Sequence, residues 1–156
     1  MHIDTQEGFD LRRVAVGDEL PTASHGPLRI EHFCRYMFAC GVPGPVRDGG
    51  DVHYDMWAAA RAGFNDVFDM GAWRTALFIE LAENQWGGPR ARVTRIRNRY
   101  GGMVYRDDTL RFCGQVIGKE TADDGSVVID VQIWNETGSE SPVTTGEMTI
   151  RIPADG

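Results

Sequence analysis

The sequence predicts an α+β domain in which a curled antiparallel β-sheet wraps one long central α-helix. Three observations predict it. Residues 72–82 hold eight apolar residues in eleven, broken only by Arg74, Thr75 and Glu80, and a helix that apolar on most sides must be surrounded by other structure. The C-terminal half then changes period: residues 93–100, 109–119, 127–136 and 143–152 are rich in β-branched and aromatic residues. Turn residues such as Gly101-Gly102, Asp123-Asp124-Gly125 and Gly138-Ser139 bound these runs, so four long strands with short connections read as an antiparallel meander.

Each element has its own justification. A polar start extends to about Val14. Ile30, Phe33, Cys34, Met37 and Phe38 then recur at the helical spacing of three and four, and Gly41 followed by Pro43-Gly44-Pro45 stops that helix. Residues 41–51 must therefore form an exposed connection. Residues 54–62 read as a short helix ended by Gly63, and a second loop over residues 63–69 leads to Gly71 and the central helix. Along 127–136, Val127, Ile129, Val131 and Ile133 alternate and so share one face. Nothing in the chain suggests a repeat or a linker, and residues 1–156 are expected to form a single domain.

Composition excludes several function classes. With 42% hydrophobic and 25% charged residues the chain is an ordinary globular one, and its formal net charge of −7 argues against a protein that tracks nucleic-acid phosphates. A local arginine cluster would still suffice for a small anion. No apolar run approaches the roughly twenty residues of a membrane span, and the first residues lack the basic start and apolar stretch of a signal peptide, so a cytoplasmic location is expected. Three cysteines without a Cys-x-x-Cys pair fit reduced thiols, with Cys34 and Cys113 expected as small core residues. Trp57, Trp73, Trp86 and Trp134 are expected in the core or at a dimer interface.

The stretch Asp48-Gly49-Gly50-Asp51-Val52-His53 concentrates the chemistry. It sets a carboxylate five residues ahead of an imidazole in a loop that enters a helix, and such a pair can hold and activate a water. Asp51, two residues from His53, is the rival acid. Gly71 stands at the head of the central helix, where the first backbone N–H groups have no acceptor within the helix and the helix dipole is positive. Arg95, Arg97 and Arg99 alternate along one strand and would meet phosphates or an acidic surface, or simply form a solvated face. His53-Tyr54-Asp55 matches half of a non-haem iron triad, but His2, His25 and His32 all lie upstream of it, and no metal site is expected. There is no dinucleotide fingerprint, phosphate loop or Gly-x-Ser-x-Gly elbow.

Together these residues resemble the MaoC-like hydratases and dehydratases of the hot-dog superfamily, among them R-specific enoyl-CoA hydratases and steroid side-chain hydratases. The resemblance runs from Val16-Gly17-Asp18-Glu19-Leu20 to Ile152-Pro153. Members commonly show an aspartate, then asparagine-proline, then a histidine five residues after the aspartate, then a helix ending in Gly-Phe; Asp48, His53 and Gly63-Phe64 keep that spacing. A His-Gly pair usually opens the central helix, and Gly71 falls there with Met70 in the histidine position. Asp107-Asp108-Thr109-Leu110 resembles the Gly-Asp-Thr-Leu-like turn, and Asn135, Gly138 and Gly146 match the last hairpin. The departures are Gly50 and Asp51 in place of asparagine-proline, and Arg47 in place of a glycine.

The resemblance implies a hydro-lyase acting on a 2-enoyl or 3-hydroxyacyl thioester. Its catalytic residues would be Asp48, His53 and Gly71, and its substrate site would draw on Met70, Asp51, Tyr54, Arg95 and Arg97. It implies no cofactor beyond coenzyme A or phosphopantetheine as part of the substrate. The partners implied are an acyl-CoA or acyl-carrier-protein thioester and a second copy in a homodimer, with no nucleic acid and no membrane. Three alternatives stay open: an amine as the added nucleophile, a thioesterase using Glu80 or Glu83, and a non-catalytic acyl-binding subunit.

Overall fold

The central helix, α3 (Gly71–Leu81), buries Trp73, Arg74, Leu77, Phe78 and Leu81. That set follows the three-and-four spacing of one broad face. Phe78 meets Phe112 of the sheet edge-to-face with ring centroids 4.9 Å apart, and burying a side chain of that size contributes roughly 1.5–3 kcal/mol. A π-helical turn, Ala82–Trp86, extends the helix beyond the expected end, and Gly87 closes it. Trp86 donates from Nε1 to the Pro21 carbonyl and packs where Gly114 of the sheet carries no side chain, since a Cβ there would lie 2.9 Å from the indole. The helix is less enclosed than its composition predicts: Ala72, Ala76 and Glu80 form an exposed stripe.

The computed structural model describes residues 2–3, 9–41, 50–138 and 142–154. Its strands are β1 (His2–Ile3), β2 (Ala23–His25), β3 (Arg92–Tyr100), β4 (Leu110–Thr121), β5 (Val127–Glu136) and β6 (Thr144–Ile152). They form one antiparallel sheet in the order β1-β2-β4-β5-β6-β3. The four long strands fall within two residues of expectation, but they are not a simple meander. Only β4, β5 and β6 are; β3 skips over to pair with β6, with Arg97 opposite Glu147, and forms the far edge of the sheet. The crossover follows from burial, because Val93 and Ile96 of β3 pack against the core. Bulges at Val93/Arg95 and Val116/Gly118 bend the sheet around α3.

Two shorter helices flank the sheet, α1 (Ile30–Ala39) and α2 (Met56–Arg61). Phe33 and Met37 are the buried residues of α1, and Phe33 and Tyr36 lean on Trp73. Cys113 is buried as expected, whereas Cys34 is only half-buried and Cys40 is exposed. Of the tryptophans, Trp73 and Trp86 are core residues, while Trp57 on α2 is 77% exposed. The segment read as a polar start contributes to the core: Asp10 caps a 3₁₀ turn, Leu11–Arg13, that buries Leu11, and Lys119 clamps it by donating to the Arg12 and Val14 carbonyls. No helix among the described residues is long and apolar enough to cross a membrane.

Candidate active site

A cavity of about 400 Å³ opens where the loop before α2, the head of α3 and the end of β3 converge, and both His53 and Gly71 line it. His53 is set by two contacts on either side of its Cα. Its backbone N–H donates to the Asp51 carboxylate at 2.9 Å, and its Nδ1 lies 2.8 Å from the Phe68 carbonyl oxygen. A carbonyl only accepts, so Nδ1 carries a hydrogen, and Nε2 has no partner among the described residues; in the neutral ring it holds the lone pair. The imidazole also stands edge-on to the Phe68 ring, with centroids 4.8 Å apart. Asp55 does not share this chemistry: its carboxylate caps α2, accepting from the Trp57 and Ala58 N–H groups. Gly50 is required beside it, with φ at +73° and no room for a Cβ against that carboxylate.

The head of α3 supplies the donors. Met70 is the N-cap with extended backbone and no side-chain cap, and the Trp73 N–H turns back to the Met70 carbonyl. The first N–H groups of a helix have no acceptor within it, which leaves those of Gly71 and Ala72 at the cavity wall. Gly71 is a glycine for a steric reason. A Cβ at this position would lie 2.9 Å from the Tyr100 ring, which covers it from β3. The Tyr100 hydroxyl is hydrogen-bonded to Thr75 Oγ1, which also accepts from Asn98 Nδ2 at 2.7 Å.

Beneath this wall lies a buried ion pair. Arg74 and Asp69 are each 2% exposed, and the guanidinium donates from Nε and Nη2 to the two carboxylate oxygens, both at 2.7 Å. Nη1 donates to the Val143 carbonyl and to Thr144 Oγ1, and the guanidinium carbon stands 5.6 Å from the Tyr100 ring centroid. Burial pushes the Asp69 carboxyl up from its ordinary range, against the downward pull of the Arg74 hydrogen bonds and charge. Because Asp69 follows Phe68 and precedes Met70, the pair fixes the segment that holds both the His53 acceptor and the helix head.

The candidate residues do not all converge. His53, Met70 and Gly71 share the cavity, whereas Asp51 and Tyr54 sit beside it in the turn before α2, where the Tyr54 N–H donates to the Asp51 carbonyl. Arg95 and Arg97 line a separate hollow on the outer face of the sheet with Asp130 and Glu147. Asp48 lies outside the described residues. Asp69, Arg74 and Tyr100 escaped the sequence reading. One signal for the pair was present, because an arginine inside a nearly all-apolar helix needs a buried partner.

No protein-family model matches the chain. It is 31% identical over 106 residues to the 3-oxo-4,17-pregnadiene-20-carboxyl-CoA hydratase beta subunit of Mycobacterium tuberculosis, a match covering 68% of this chain and 78% of that protein. Among solved structures, the R-hydratase PhaJ1 of Pseudomonas aeruginosa superposes with a TM-score of 0.73 at 20% identity, over 94% of this chain and 87% of that one. A MaoC-like dehydratase of Rhodospirillum rubrum gives a TM-score of 0.71 at 17% identity, over 96% and 99%. At those identities the structural likeness shows a common fold, the hot-dog arrangement of a sheet around a central helix.

Proposed function

The chain belongs to the MaoC-like hydratase/dehydratase family of hot-dog proteins, and from that premise we propose that it is a hydro-lyase acting on acyl thioesters, adding water to a 2-enoyl group or removing it from a 3-hydroxyacyl group. One observation carries the reading: His53, with Nδ1 satisfied by the Phe68 carbonyl and Nε2 engaged by none of the described residues, shares a cavity with the N–H groups at the head of α3. A base and an oxyanion site facing one volume are what conjugate addition to a thioester requires.

In the hydration direction, Nε2 of His53 accepts a proton from water as the water oxygen bonds C3 of the enoyl group. The C2=C3 electron pair shifts toward the thioester carbonyl, and charge accumulates on its oxygen. The Gly71 N–H, at the positive end of the α3 dipole, stabilises that charge. The proton then returns to C2, and elimination runs the same steps backward. Asp48, five residues before His53, is assigned to hold the water and share the proton transfer. The substrate is an acyl thioester of coenzyme A or of a carrier protein, whose phosphopantetheine arm is part of the substrate rather than a resident cofactor.

An amine in place of water uses the same polarised thioester, and one assay separates the two. Purified protein is mixed with crotonyl-CoA with and without added amine, and loss of the conjugated enone absorbance is followed. Turnover in water alone supports the hydratase reading; turnover only with amine replaces it; none with any enoyl or 3-hydroxyacyl thioester overturns it. A thioesterase reading has little to stand on, because Glu80 lies on the exposed stripe of α3 and Glu83 accepts the Val93 N–H at 2.9 Å.

A further inference from the structure

The imidazole and the head of α3 are joined through one short segment. The carbonyl that aims His53 belongs to Phe68, and the N–H groups at the head of the helix begin at Gly71, so the conformation of residues 68–71 sets where the two lie relative to each other. The backbone holds one end of that segment. Phe68 forms a β-bridge with Tyr105, and the Asp69 N–H donates to the Val104 carbonyl at 2.9 Å, which fixes the plane of the peptide whose oxygen meets His53 Nδ1. Side chains hold the other end. Arg74, inside α3, grips both carboxylate oxygens of Asp69 at 2.7 Å, so the ion pair closes a ring of chain that runs through Met70 and Gly71.

Stability alone accounts poorly for this pair. Both side chains are buried, and two charges taken out of water are generally no more stabilising than well-packed apolar residues of the same volume. What a bidentate fork adds is direction, because its planar geometry admits one arrangement where apolar side chains can slide. The carboxylate also feels the imidazole. Burial pushes the Asp69 carboxyl up, and His53 is among the groups that pull it back, after Arg74.

We propose that Asp69 and Arg74 are positioning residues for His53: by fixing the Phe68 carbonyl against the head of α3, they hold the imidazole in the Nδ1–H tautomer that leaves Nε2 to act on the water. A ring nitrogen that faces a fixed carbonyl must carry the hydrogen, whereas a carbonyl able to turn away lifts that requirement. The catalytic consequence rests on the role proposed for His53 above. The hold on the ring does not.

Isotope-edited NMR of the histidine ring nitrogens tests it at about pH 8, where imidazoles are ordinarily neutral, with the His53 signals identified by their loss in His53→Ala. Wild type should show His53 protonated at Nδ1 alone. Asp69→Leu/Arg74→Leu removes the pair without leaving a lone charge; it should stay folded by circular dichroism yet show both tautomers. Its kcat for crotonyl-CoA should fall about tenfold or more while KM stays within about threefold, as expected when a reacting group is misplaced and substrate binding is not. Arg74→Lys, which keeps the charge and loses the fork, should lie between the two by both readouts, and it decides by the same criteria if the double variant does not fold. His53 held wholly in the Nδ1–H tautomer without the pair overturns the proposal whatever the rates, and so does wild type protonated at Nε2. If the tautomer is lost while turnover persists, the pair's hold on the ring is upheld and His53 is removed as the base. If wild type turns over no thioester, the hydro-lyase reading falls and the tautomer alone decides whether the pair positions the ring.

Discussion

The role proposed for His53 rests on the ring nitrogen that no described residue engages. Since the Phe68 carbonyl takes the Nδ1 hydrogen, replacing the ring removes the one imidazole among the described residues of the cavity wall without disturbing a packed core, because His53 is half-buried. His53→Ala is expected to lower turnover about a hundredfold or more while the melting temperature stays near wild type. Asp48→Asn should do the same, and Asp51→Asn, whose amide oxygen can still accept the His53 N–H, should cost less. Steady-state rates with an enoyl thioester check the order, and a larger effect at Asp51 would move the acid to that residue. Gly71 makes a different prediction. It is not at positive φ, so a side chain is excluded by the Tyr100 ring rather than by the backbone. Gly71→Val should therefore abolish turnover and also lower stability by about 1–3 kcal/mol through overpacking, and Tyr100→Ala in the same chain should restore much of the stability in urea unfolding. If it does not, the ring is not what constrains this position.

At the scale of elements, the helices and strands were legible because each has a local period. Ile30, Phe33 and Met37 repeat at helical spacing, and Val127 to Ile133 alternate. What local period does not encode is which strand lies beside which. The faces of β3 were readable, but its pairing with β6 depends on contacts some fifty residues away. Leu11 and Val14 were passed over because a 3₁₀ turn and irregular backbone carry no repeat. Of the residues that line the cavity, His53 and Gly71 had been singled out by spacing and family resemblance, while Arg74 was read as an interruption of the apolar helix. Its partner Asp69 sits in a loop whose sequence says nothing of burial. That buried pair ties α3 to the start of β6 through Val143 and Thr144. Asp69→Leu or Arg74→Leu alone, leaving one buried charge uncompensated, should cost about 3–5 kcal/mol. Asp69→Leu/Arg74→Leu together should cost much less than the sum, and denaturant unfolding of the four proteins closes the cycle; simple additivity would mean the two residues do not stabilise as a pair.

For the molecule as a whole, acid stability is set in part by a group outside the site. His25 of β2 packs against His32 at 5.3 Å and edge-on to Trp73 at 5.5 Å, and its buried Nε2 has no hydrogen-bond partner among the described residues. Burial is the largest cause that lowers its pKa from 6.5 to about 4, and the neighbouring His32 adds to it. The folded protein therefore stays unprotonated at His25 over a range where the unfolded chain takes up a proton. As pH falls below the unfolded value of 6.5 the unfolded state is favoured progressively, and the loss ends near pH 4, where the folded state binds the proton as well. The melting temperature should accordingly fall between those two pH values and by less below them from this group. His25→Phe, which keeps a ring against Trp73 and removes the titration, should flatten that stretch of the profile whatever it does to stability at neutral pH. The measurement is a series of thermal melts from pH 8 to pH 4, roughly half a unit apart. A slope unchanged in His25→Phe would place the acid sensitivity on other groups.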